Sequence, residues 1–112
     1  MGAALPTGLW VQAHVARCSS QGIPVVVVRR GDPHRGVVIV KQHLVGQGFR
    51  VVTQVRDMDG ALRWQTVLGA DPVPEPDVDD YIRRQTGYDP DLWVIEIEMR
   101  TDDENFFQGP VL

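Results

Sequence analysis

Two carboxylates, Glu96 and Glu98, sit two residues apart in the otherwise apolar run LWVIEIEM, residues 92–99. In an extended strand they share a face with Leu92 and Val94, while Trp93, Ile95, Ile97 and Met99 share the other. Residues two apart on a strand stand roughly 6.5–7 Å apart, within the separation glycosidases use for paired carboxylates. Such an enzyme also needs an aromatic-lined cleft, and 112 residues around one small core leave little room for it. A second group is cationic. Arg50, Arg56 and Arg63 fall in one hairpin, where they would form a basic face for an anion or a nucleic acid. Arg56 and Arg63 are expected to face each other directly, and like charges so placed destabilise a sheet. Glu96 and Glu98 are therefore expected to form a structural ion-pair row that relieves this repulsion.

The three histidines, His14, His34 and His43, have no ligand spacing. Cys18 follows His14 by four residues, so a helix would put both on one face, but zinc takes three or four ligands. The expectation is a buried thiol and a surface imidazole, with no metal and no cofactor. No Ser or Cys elbow and no phosphate-cradling glycine loop occurs, so no catalytic residue is nominated. Arg29-Arg30-Gly31-Asp32 contains an Arg-Gly-Asp tripeptide, read as a turn in which Gly31 supplies a positive φ and Asp32 caps the backbone.

The elements that must hold these residues follow from pattern. Thr7 to Gln21 reads as a short helix closed by Gly22, with Trp10, Ala13 and Arg17 on one face beside Val11, Val15 and Cys18. Two β-branched runs, PVVVV and GVVIV, flank Gly31-Asp32-Pro33 and read as two strands joined by a turn. FRVVTQVRDMDGALRWQTVLG is the clearest hairpin. A two-residue Asp59-Gly60 loop would pair Val55 with Trp64, Thr53 with Thr66 and Val51 with Leu68. A second helix begins near Pro76 with Asp77, Asp79 and Asp80 in its first turn and a stripe of Val78, Tyr81, Ile82 and Gln85, ending at Gly87. A last strand runs from Leu92 to Met99.

The segments LWVQAHVARC, VVVVRRGD, DVDDYIRRQ and above all DPDLWVIEIE resemble the domain of unknown function 1491 family, small alphaproteobacterial proteins, over roughly Leu9 to Phe107. The resemblance implies a bacterial cytoplasmic setting and no activity. Where that family has a Gly-Arg-His-Phe-like turn near its C-terminus, this chain has Asp102, Asp103, Glu104, Asn105 and Phe106. No role for a basic tail is therefore implied here.

Composition supports a soluble single domain: 43% hydrophobic and 23% charged residues, with a single cysteine that suits a reducing compartment. No apolar run is long enough to cross a membrane as a helix. The opening MGAALPTGLW has neither a basic leader nor a long apolar segment, so no secretory signal is expected. Residues 1–70 carry eight Arg/Lys and three acids (+5), whereas residues 71–112 carry three Arg and twelve acids (−9). This asymmetry reads as two halves that neutralise each other on folding. The element order is similar to that of double-stranded RNA-binding domains, but the acidic first turn of the second helix would repel phosphate.

The expected fold is α+β, one domain over residues 1–112, ordered from about 7 to 100, with a C-terminal tail at 101–112. Its order is helix, antiparallel four-stranded meander, helix, final strand. Both helices are expected on one face, with Trp64, Phe49, Trp93 and Ile95 packed against Tyr81, Ile82 and Trp10. The leading function is a non-enzymatic cytoplasmic protein-interaction module using an open sheet face or an edge strand, VVVVRR or GVVIVK, with a homodimer as one version. The alternative is an anion or nucleic-acid binder using Arg50, Arg56 and Arg63. A small enzyme using Glu96 and Glu98 ranks third.

Overall fold

A computed structural model describes residues 6–56 and 58–100. The elements are α1 (Thr7–Ser20), β1 (Val25–Arg29), β2 (Val38–Leu44), β3 (Gly48–Arg56), β4 (Leu62–Val67), α2 (Glu75–Tyr88) and β5 (Trp93–Met99). The α+β class and the element order are as expected. The strand arrangement is not a four-stranded meander. The sheet has five strands in the order β1-β5-β2-β3-β4, with β5 inserted between β1 and β2 and parallel to β2. The two β-branched runs are therefore not hydrogen-bonded neighbours. The expected C-terminal tail, 101–112, lies outside the described residues.

The insertion of β5 follows from apolarity on both faces. Val38 to Val40 and Trp93 to Ile95 are buried without a break. A strand of that kind belongs in a sheet interior covered on both sides. The helices accordingly lie on opposite faces, which corrects the one-sided expectation. Under α1, Val11 and Cys18 pack with Val40, Leu44, Val52, Trp64, Trp93, Ile95 and Met99, and Trp10 joins them. Under α2, Val78, Tyr81 and Ile82 pack with Ile39, Phe49, Val51 and Leu92. The expected stripe on α2 holds. That on α1 turns: Val11, His14 and Cys18 are buried, and Ala13 is exposed.

Between β3 and β4 the register differs from expectation by one residue. Val55 pairs with Arg63, Gln54 with Trp64 and Arg56 with Leu62. The connection therefore spans residues 57–61 rather than a two-residue loop, although Gly60 does take a positive φ of 83°. A slip of one residue turns every side chain of one strand to the other face. Arg56 and Arg63 are thus not cross-strand partners.

The loop between β1 and β2 lies directly on the strand that separates them. Asp32 N–H donates to Asp91 O at 3.0 Å, and Trp93 Nε1 donates to Asp32 O at 2.7 Å. A Cβ on Gly31 would stand 2.1 Å from Asp91 O, and one on Gly36 would stand 2.2 Å from it. Gly31 is needed for space and not, as expected, for a positive φ. Asp32 does cap the turn: its Oδ1 accepts from the N–H groups of His34 and Arg35 at 2.8 and 3.0 Å. Thr7, the first residue of α1, anchors the helix to this loop by donating its hydroxyl to Gly36 O at 2.8 Å.

His14, expected at the surface, is 5% exposed. Its ring stacks on Trp10 with centroids 4.9 Å apart. Burial, and secondly the charge of Arg17, hold its pKa down to about 4, from an ordinary 6.5. Between those values the unfolded chain binds the proton and the folded chain does not, so stability falls as pH drops through that window and levels off below it. The full effect is on the order of 2–3 kcal/mol. Urea denaturation across this range should show a steeper loss for the native chain than for His14→Gln. Parallel profiles would assign the acid sensitivity to the carboxylates instead.

Candidate interaction surface

Glu96 and Glu98 extend from β5 on the face that also carries α2, and neither meets the expected arginines. Arg63 lies three strands away, across β2 and β3. The partner of Glu96 is Lys41, which follows the apolar run GVVIV. Lys41 is buried in β2, and its Nζ lies 2.6 Å from Glu75 Oε2, 2.8 Å from Asp79 Oδ1 and 3.6 Å from Glu96 Oε1. The Phe49 ring centroid is 5.0 Å from the same nitrogen. Burial alone would lower the Lys41 pKa, but the hydrogen bonds to Asp79 and Glu75 and the charge of Glu96 outweigh it, and the value is raised. The stability of this cluster is therefore present below the ordinary lysine value and lost only in more alkaline solution.

The cluster ties the first turn of α2 to the middle of the sheet. Asp79, read in the sequence as a favourable charge at a helix N-terminus, spends its carboxylate on Lys41. Glu98 lies beyond the cluster. It lines a shallow hollow of about 230 Å³ with Pro24, Val25, Val26, His43 and Glu96, on the part of the sheet that α2 leaves uncovered. His43 is held there by stacking on Phe49, centroids 4.4 Å apart.

The arginines do not share one face. Arg50 lies on the α1 side of β3, where its Nε donates to Gln42 Oε1 at 3.0 Å and its guanidinium reaches Ala70 O at 3.3 Å. Strand alternation puts Arg63, two residues from Trp64's other neighbour Gln65, on the side of Val67, the face of α2. Arg56 ends β3, and its side chain lies outside the described residues.

Beside the hollow runs β1, which among the described strands is an edge bonded only to β5. Val26 and Val28 are each 55% exposed. The sequence pointed to VVVVRR as one possible edge, and that one is an edge. The other, GVVIVK, forms β2 and is interior. The opposite edge, β4, presents Arg63 and Gln65 in place of bare valines, a more guarded edge.

The family profile described as "Protein of unknown function (DUF1491)" matches residues 5–108. The chain belongs to the DUF1491 family. A crystal structure of a DUF1491 family protein from Caulobacter crescentus CB15 is 34% identical, with a TM-score of 0.84 over 97% of this chain and 100% of that one. An NMR structure of a DUF1491 family protein from Caulobacter crescentus CB15 is 35% identical, with a TM-score of 0.85 over 99% of each chain. The solution structure of protein Atu0922 from A. tumefaciens, 23% identical, has the same fold, with a TM-score of 0.74 over 88% of this chain and 89% of that one. No curated protein matches the chain.

Two of the stretches that carried the DUF1491 resemblance, VVVVRRGD and DPDLWVIEIE, meet in space where the β1–β2 loop lies on Asp91. They are accounted for by packing. Lys41 had one available signal: a lone lysine that follows an apolar run, in the middle of a strand buried on both faces, needs an acid from elsewhere in the chain.

Lys41→Met should lower stability by about 1–3 kcal/mol, less than in a fully buried pair because the carboxylates left behind reach water. Glu96→Gln should cost about 0.2–1 kcal/mol. In double-mutant cycles Glu96 should couple to Lys41, and its coupling to Arg63 should vanish within about 0.5 kcal/mol. Urea melts of these variants test this. A Glu96→Gln chain more stable than the native one, uncoupled from Lys41, would contradict a structural role for the carboxylate.

Proposed function

We propose that this DUF1491 protein is a non-enzymatic protein-interaction module whose docking strand is β1, and that the partner fitting that strand is a second copy of the chain. The observation that carries the reading is the bare edge itself: Val26 and Val28, each 55% exposed, on a strand that among the described residues has one side unpaired. Large apolar side chains beside free backbone donors and acceptors favour addition of another strand.

The strand is complementary to itself. An antiparallel pair centred on Val27 brings Val26 of each copy opposite Val28 of the other. It also carries Arg29 of each alongside the Pro24–Val25 end of its partner, one strand from Glu96 and Glu98. A two-fold arrangement uses that match twice. Its strength is limited, because Pro24 offers no N–H and the register shifts between Val27 and Arg29. A dissociation constant in the micromolar range fits so short a regular stretch. We take the compartment to be the cytoplasm, and the lone cysteine, Cys18, buried as a free thiol, supports a reducing setting.

Sedimentation equilibrium should show a monomer–dimer equilibrium at micromolar concentration that weakens as salt screens Arg29 from the carboxylates. Val26→Lys should abolish the dimer while leaving the melting temperature unchanged, since the side chain is exposed. A clean monomer over the whole range would contradict the reading, and a Val26→Lys chain that still dimerises would exclude β1 as the interface.

A further inference from the structure

The opposite face of β1 bounds a cavity that the self-pairing of its edge does not use. Its volume is about 400 Å³, at the small end of the range of sites that hold small molecules. The walls are Leu9, Val11 and Val15 from α1, Val27 from β1, and Trp93 from β5. Leu9 is 54% exposed, so its side chain stands at the mouth of the cavity within reach of a ligand. The pocket thus offers apolar contact on three sides.

One cation stands in it. Arg30 lies over the Trp93 ring, 5.5 Å from its centroid. The described salt bridges belong to Lys41 and Arg83, so no described carboxylate engages the Arg30 guanidinium. The nearest acid in sequence, Asp32, already accepts from two backbone N–H groups. The Trp93 N–H is likewise committed to Asp32 O, which leaves the ring only its π surface. A guanidinium is planar, and one beside an aromatic ring can still bind a carboxylate through two parallel hydrogen bonds. The side chains of Gln12 and His34 complete the polar part of the lining.

We propose that this cavity between α1 and β1 is a binding site for a small monocarboxylate with an apolar body. The carboxylate pairs with Arg30, and the body packs among Leu9, Val11, Val15 and Trp93. The charge identifies the headgroup, and the apolar walls exclude small polar anions as the preferred occupants.

Titration of the full chain, followed by two-dimensional NMR, tests this with phenylacetate, hexanoate, acetate and the neutral phenylacetamide. Phenylacetate or hexanoate should shift the signals of Leu9, Val15 and the Trp93 side chain. Acetate and phenylacetamide should bind at least about tenfold more weakly, the value of one charge-assisted hydrogen bond or of the apolar body. Arg30→Gln, an exposed position whose replacement leaves the core intact, should weaken the carboxylates at least about tenfold and leave phenylacetamide unchanged. The proposal is overturned by any of three results: no shifts from either carboxylate at about 10 mM, a concentration that still detects very weak binding; equal binding of phenylacetate and phenylacetamide; or shifts confined to residues outside the cavity.

Discussion

The contact on which the structure depends is backbone on backbone, between the loop 30–37 and the entrance to β5. Gly31 and Gly36 press against Asp91 O with no room for a Cβ, Asp32 N–H bonds that same carbonyl, and Trp93 reaches back to Asp32 O. Through this contact the chain can leave β1, pass over the end of β5 and return as β2 with β5 between them. The further consequences are geometric. β1 becomes an edge, β2 and β5 become interior, and Glu96 comes to lie next to Lys41 in the parallel register. A meander would have placed β5 at an edge and both helices on one face.

The two faces are held by different means. On the α1 side the cohesion is apolar and continuous from β1 to β4, with Trp10, Trp64 and Trp93 as its largest members. On the α2 side the buried cluster is smaller and centres on Val78 with Ile39 and Val51. There the Lys41 cluster supplements packing by fixing the first turn of α2 over the sheet. A buried charge that is paired adds less to net stability than apolar residues of the same size would. What it adds is placement: a lysine surrounded by Glu75, Asp79 and Glu96 permits one position of the helix start. The uncovered end of that face is where Glu98, Val26 and the hollow remain available to a partner.

Local chemistry in the sequence carried local structure. Gly22, Pro76 and the Val78-Tyr81-Ile82 stripe marked the helices within one or two residues, and β-branched runs marked the strands. What pattern could not carry was decided at long range. The β3–β4 register missed by one residue because Asp59-Gly60 lies inside a five-residue connection, and the loop length, not the dipeptide, sets the phase. That single slip created the apparent Arg56–Arg63 repulsion and, from it, the wrong partner for Glu96. The insertion of β5 was foreshadowed only by Leu92 and Val94, apolar residues on what was taken for a polar face. His14 was misjudged because a histidine on a short helix carries no sign of its depth, which here comes from stacking on Trp10. Of the candidate surface, the VVVV edge was readable from its lack of charge, whereas the carboxylates that flank it acquire their position through the crossover.

The whole arrangement rests on β5 being an interior strand. Native-state hydrogen exchange tests it most directly, because protection reports which strands open only with the whole molecule. The amides of β5 and β2 should exchange at the free energy of global unfolding, and those of β1 and β4 at distinctly lower values. If the β5 amides instead exchange through local opening, no better protected than those of β4, then β5 is not held between β1 and β2, and the account fails at its foundation.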